Sequence, residues 1–129
     1  MRYERAYDIE EKMREIVVKL GLRHIRLDSV ACIRSYGSKA RGVIARCHSL
    51  GKVIQKALGR KSFYVLEFIS ERFDKLNEEE KIKVIIHELL HIPKSFGGGF
   101  KHHDYVTEKT VNKFYKKFVE NERKVSGRI

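Results

Sequence analysis

His87, Glu88 and His91 stand in the order His-Glu-Leu-Leu-His. On an α-helix, a rise of about 1.5 Å per residue sets the two histidines one turn apart, about 6 Å along the axis, so that both imidazoles can converge on one ion. Zinc takes nitrogen ligands at about 2.0–2.1 Å in a tetrahedral array, and a catalytic site reserves one position for water, which leaves one further protein ligand to find. Glu88, beside the first histidine, is placed as the general base. It can take a proton from water that the ion acidifies to a pKa of about 7 and pass it to a leaving amine. The chemistry implied is zinc-dependent hydrolysis, with the peptide bond as the natural target.

Chance alone would place this five-residue pattern in a chain of this composition roughly 3% of the time, so its surroundings must carry the reading. Asn77 followed by Glu78, Glu79 and Glu80 predicts a firmly capped helix start with carboxylates at the positive end of the helix dipole. Ile82, Val84, Ile85, Ile86, Leu89 and Leu90 make that helix apolar almost all round, as in a helix that runs through the middle of a domain. A carboxylate between two histidines is costly to bury there unpaired, and a zinc ion removes that cost. Pro93 ends the helix, and Gly97, Gly98 and Gly99 let the chain turn back over its end toward His102 and His103.

The third ligand is expected from that pair. His102 lies four residues before Val106 and shares its inward face if the last helix begins early, and His103, three before Val106, is nearly as well placed. The histidine not used would orient a ligand or face solvent. Glu108 and Glu120 on the last helix are carboxylate alternatives, and Asp104 reads as an N-cap.

The elements that must hold these residues read as an α+β fold. A first helix, with Asp8 as its cap and Gly21 as its terminator, buries Ile9, Met13, Ile16, Val17 and Leu20. Residues 25–33 alternate as a strand, and residues 43–47 follow the glycine-bearing loop SYGSKARG as a second strand in a hairpin with the first. Over residues 49–58 the apolar residues Leu50, Val53, Ile54, Ala57 and Leu58 return to helical spacing, and Gly59 ends the run. The run FYVLEFI over 63–69 predicts a well-buried third strand. A last helix, from residue 104 or 107 to 123, turns Val106, Val111, Phe114 and Phe118 inward and lysines outward. The sheet is therefore expected to be small, three-stranded and mostly antiparallel.

At 129 residues, 42% hydrophobic and 35% charged, the chain fits one compact domain over 1–129 and is too ordered in pattern for disorder. No apolar run suits a membrane span and the charged start lacks a signal-peptide core, so a cytoplasmic location with no membrane partner is expected. Cys32 and Cys47 form neither a CxxC nor a disulfide framework and read as buried small hydrophobes. Gln55, Asn77, Asn112 and Asn121 are the only carboxamides in a chain rich in Lys, Arg and Glu, a thermophile-like bias. The net charge is +11, and the stretch 29–66 holds no Asp or Glu while carrying Arg34, Lys39, Arg41, Arg46, Lys52, Lys56, Arg60 and Lys61. It is a candidate surface for DNA or RNA, with Arg34, Lys39, Arg41 and Tyr36 as contacts; a solvated, lysine-rich surface suited to heat stability accounts for it at least as well.

The segment HELLHIPKSFGGGFKHHDYV, preceded by FYVLEFIS and followed by VTEKTVNKFYKKF, resembles the predicted archaeal and phage metallopeptidases related to the SprT and Spartan zincins. The resemblance spans most of the chain. It implies a minimal zincin-like fold, with an N-terminal helix, a small sheet, a buried active-site helix and a C-terminal helix. It also implies His87, His91 and His102 as zinc ligands and Glu88 as base. In such a fold an extended peptide pairs with a sheet edge through main-chain hydrogen bonds, and the strand at 63–69 is expected beside the metal. Tyr105 is a candidate donor to the oxyanion, though a core or capping role suits it better. The chain departs from Spartan-type relatives in lacking room for a DNA-binding module, and its two cysteines exclude a zinc ribbon.

Two other functions compete. A metal-dependent nuclease of the YbeY type would need HGxxH and a closer third histidine, whereas Glu88 fills the glycine position here. A nucleic-acid-binding protein with structural zinc would need four protein ligands and would leave Glu88 without a role. Metzincins are excluded because Lys94 stands where their motif requires glycine.

Overall fold

A computed structural model describes residues 1–101 and 105–126, with the side chains of 125 and 126 not described. Among the described residues the chain forms β1 (Arg2–Arg5), α1 (Tyr7–Leu20), a 3-10 turn (Leu27–Ser29), β2 (Val30–Tyr36), β3 (Ala45–Ser49) and α2 (Lys52–Leu58). It continues with β4 (Tyr64–Ile69), α3 (Ser70–Phe73), α4 (Glu78–Leu90) and α5 (Glu108–Ser126). The class is α+β, as expected.

The sheet is four-stranded and mixed rather than three-stranded, in the order β1-β2-β4-β3. β1 pairs antiparallel with β2, β2 parallel with β4, and β3 antiparallel with β4. The expected hairpin of the second and third strands does not form, because β4 lies between them. The physical reason is apolarity. Tyr64, Leu66, Phe68 and Ile69 are all within 1% of full burial, so β4 belongs in the middle, while β3, with Arg46 and His48, suits an edge. β1 was not foreseen because its sequence RYER has no apolar alternation and all four residues are exposed.

Other boundaries move for local reasons. Ile25 is buried from a turn rather than from a strand, so β2 begins only at Val30. α1 buries Ile9, Met13, Ile16, Val17 and Leu20 and ends at Gly21, whose φ of 63° is the left-handed terminator. Its cap is Ala6 rather than Asp8: Ala6 N–H bonds to the Cys32 carbonyl (2.9 Å), and Asp8 turns to Arg34 instead. α2 buries none of its residues, and Val53 is 84% exposed, so its apolar spacing does not point inward. Seven residues are held there by a polar anchor, Gln55, whose amide nitrogen donates to the carbonyls of Leu50 (2.5 Å) and Gly97 (3.0 Å).

α4 has the predicted start. The Asn77 side chain accepts from Glu80 N–H (2.8 Å), and the Glu80 carboxylate accepts from Asn77 N–H (3.3 Å), a closed capping box. Ile82, Ile85, Ile86, Leu89 and Leu90 are buried, which seats α4 in the core with Leu66, Phe68, Met13 and Ile16. α5 begins later than its longest expected extent. Thr107 accepts from Thr110 N–H (3.2 Å), and Val111 and Phe118 face inward. Cys32 is buried, whereas Cys47 is only half-buried. Among the described residues no helix is long and apolar enough to cross a membrane.

Candidate metal centre

α4 delivers His87 and His91 one turn apart on the face that looks toward β3. Their Nε2 atoms are 3.3 Å apart, with ring centroids 5.0 Å apart and planes at 70°. Two nitrogens each about 2.0–2.1 Å from a shared tetrahedral ion would be separated by about 3.3–3.4 Å, so the pair already has the spacing that one metal ion requires.

His91 is aimed by Lys101. The Lys101 carbonyl accepts from His91 Nδ1 (2.9 Å), which leaves the Nε2 lone pair directed at His87, and Lys101 N–H donates to the His91 carbonyl (2.7 Å). Lys101 reaches this place because four side chains tie down the glycine turn and the residue before it. Tyr64 OH donates to the Gly99 carbonyl (2.8 Å) and accepts from Gly98 N–H (3.0 Å). Ser49 Oγ donates to the Gly98 carbonyl (2.7 Å), Gln55 reaches the Gly97 carbonyl, and Ser62 Oγ donates to that of Phe96. Gly98 needs to be glycine: its φ is 108°, and a Cβ there would lie 2.7 Å from the Leu50 carbonyl oxygen.

Glu88 is 6% exposed, with its Oε2 4.0 Å from His87 Nε2. Burial pushes its carboxyl up to about 7. Burial and then the Glu88 charge push the Cys47 thiol, across the cleft, up to about 12, so Cys47 stays protonated and serves as wall. Ala45, Arg46, Cys47, Phe100 and Lys101 complete the cleft around His87, Glu88 and His91.

The strand beside the histidines is therefore β3, and the strand at 63–69, expected there, lies one position further in. β3 offers its outer edge. Ile69 N–H bonds to the Ile44 carbonyl (2.8 Å) and Leu50 N–H to that of Phe63 (2.9 Å), while Arg46 opposes Glu67 and His48 opposes Val65. Main-chain bonding alternates along an antiparallel ladder, so Ile44, Arg46, His48 and Leu50 address β4, and the N–H and C=O groups of Ala45 and Cys47 point away from it.

The remaining expectations fall out as follows. His102, His103 and Asp104 lie outside the described residues, and among the described residues no set of three metal-ligating side chains gathers. Glu108 lies at the rim of a cleft with His87 and Glu88, whereas Glu120 lies in a lysine-rich groove along α5. Tyr105 is 40% exposed with the Lys101 ammonium 4.6 Å from its ring centre. Arg34 is held by Asp8 (Nη1 to Oδ1 2.6 Å) and Asp74 (Nη2 to Oδ1 3.0 Å), while Lys39 and Arg41 are exposed. Tyr36 lies under Arg2 and donates to Glu4 (3.3 Å). The sequence reading missed the supporting residues Ser49, Gln55, Ser62, Tyr64 and Lys101. Only the triple glycine signalled that something must hold that turn.

A family model described as "Putative phage metallopeptidase" matches residues 1–125. No curated protein and no solved structure matches the chain.

Proposed function

Because the chain belongs to this phage metallopeptidase family, we propose that it is a zinc-dependent peptidase that hydrolyses extended protein segments, with His87, His91 and His102 as zinc ligands and Glu88 as general base. His103 is the alternative third ligand. The kinship with the SprT and Spartan zincins is part of this proposal and rests on HELLH and the glycine turn that follows it.

The observation that carries the reading is the 3.3 Å separation of His87 Nε2 and His91 Nε2 beside a buried carboxylate. A zinc ion bound there would supply a Lewis acid that acidifies water and polarises a carbonyl. The chain's own groups do the rest. Lys101 fixes the His91 tautomer, Glu88 holds and releases the proton, and Ala45 and Cys47 give the cleft an apolar wall. The outward main-chain groups of Ala45 and Cys47 can pair with an extended peptide and lay its backbone past Glu88 without asking for particular side chains.

The test joins metal analysis to proteolysis. Purified protein should carry one zinc and cut an unfolded casein-like substrate, with DNA present or absent. Glu88→Gln should keep the zinc and lose cleavage by about a hundredfold or more. Zinc retained with cleavage unchanged would overturn the assignment of Glu88.

A further inference from the structure

α2 has its apolar face on the wrong side for a core helix. Of its seven residues none is buried, and Val53, Ile54 and Leu58 are each more than half exposed. A helix this short is marginal in water and is ordinarily kept by packing its apolar face. Here glycines end it on both sides, and the side chain that fastens it is Gln55, through the carbonyls of Leu50 and Gly97. At about 100° per residue, Val53, Ala57, Ile54 and Leu58 share one continuous arc of about 140°, and all four are exposed. The face that such a helix buries is thus complete but turned to solvent, the pattern of a surface that another molecule covers.

Charge decides what that molecule is. Lys52 and Lys56 adjoin the Val53 edge of the arc, and with Gln55, Arg60 and Lys61 they line a cleft of about 430 Å³. Among the described residues none of these four cations enters an ion pair, whereas Lys12, Lys19, Arg34 and Lys83 all do. No Asp or Glu occurs in the sequence from 29 to 66 to answer them, so the cleft calls for anionic groups from outside. Two features narrow the choice. α2 carries no aromatic ring for a base to stack on, the ring of Phe63 lies under Arg60 (4.7 Å), and a phosphate backbone has nothing to cover Val53, Ile54 and Leu58. The cations also gather on one flank of the apolar arc while Gln55 takes the other. That asymmetry suits a narrow guest with apolar and acidic stripes side by side, and not a flat anionic bilayer.

We propose that α2 is the docking face for an acidic, amphipathic segment of a partner protein. The segment's apolar side chains cover Val53, Ile54 and Leu58, and its carboxylates enter the cleft of Lys52, Lys56, Arg60 and Lys61. This cleft shares no lining residue with the histidine cleft, so the proposal stands apart from the peptidase reading.

The test is the binding of a defined probe to the Glu88→Gln protein, used so that turnover does not consume the probe. The probe is an acetylated, amidated peptide of two repeats of Glu-Leu-Ala-Glu-Leu-Leu-Gln, whose leucines and glutamates form adjacent helical stripes. A second peptide has serine for every leucine, and a third has lysine for every glutamate. Each should bind about tenfold or more weakly than the first. Val53→Ser with Leu58→Ser should weaken binding of the first peptide by a similar factor. Lys52→Glu with Lys56→Glu should invert the preference toward the lysine peptide, an inversion that a damaged fold cannot produce. Equal binding of the three peptides, absent binding of all of them, or a preference that both double variants leave intact would overturn the proposal. So would tighter binding, lost in the same variants, to vesicles of phosphatidylcholine with phosphatidylglycerol or to a single-stranded oligonucleotide, either of which would reassign the face.

Discussion

His91 and Lys101 hold each other twice, ring nitrogen to carbonyl at 2.9 Å and amide to carbonyl at 2.7 Å, across a turn whose path depends on one glycine. Gly98→Ala is therefore expected to act on the metal site from a distance. The left-handed φ and the 2.7 Å approach to the Leu50 carbonyl force the turn to shift, at a cost of about 1–3 kcal/mol in stability. Zinc affinity, read by competition with a chromophoric chelator, should fall about tenfold or more as His91 loses its partner. An alanine variant with native affinity and native melting would contradict this dependence.

Metal should stabilise the fold through the histidine pair. At a free zinc concentration about a hundred times the dissociation constant, linkage predicts about 2.7 kcal/mol. Thermal melts with zinc and with EDTA should differ by several degrees in the wild type and in Glu88→Gln. His87→Ala should melt alike in both.

The capping box at the head of α4 offers a local test of how the histidine helix is anchored. Asn77→Ala removes the acceptor for Glu80 N–H (2.8 Å) and should cost about 1 kcal/mol in urea unfolding. Asn77→Asp should restore most of it, because it keeps the acceptor and adds a charge favoured by the dipole.

Arg34 predicts an acid-sensitive term. Its hydrogen bond holds the Asp8 carboxyl below the ordinary range against burial, and burial pushes Asp74 up but Arg34 and Ser70 pull it down further. Depressed folded values give stability that is whole above about pH 4 and is lost as the pH falls through those values. Arg34→Leu should be less stable than wild type near neutrality, and the gap should narrow at about pH 3. A gap independent of pH would show that Arg34 acts through packing alone.

Legibility from the sequence followed periodicity and chemistry. α4, its cap, its burial and the facing histidines were readable because Asn77, the three glutamates and the motif are local signals. β4 was readable as buried, but its place between β2 and β3 follows from comparing its apolar run with the polar β3, a comparison between strands that one run of residues does not display. β1 carries no apolar signal, and α2 carries a false one, because Val53, Ile54 and Leu58 stand on a helix fastened through Gln55. Arg34 looked available for phosphates because no acid lies near it in sequence, and yet Asp8 and Asp74 are 26 and 40 residues away and meet it in space. The cleft that Glu108 rims with His87 and Glu88 was invisible, being assembled from three elements.

That assembly has a consequence for how the chain comes into being. β3 is made before β4, its only sheet partner among the described residues, and the walls around His87 await both α4 and Val111. On the ribosome, where synthesis proceeds from the N-terminus, the cleft cannot close until residues through about 112 have emerged. A nascent chain therefore carries His87 and Glu88 without the walls that surround them in the finished fold.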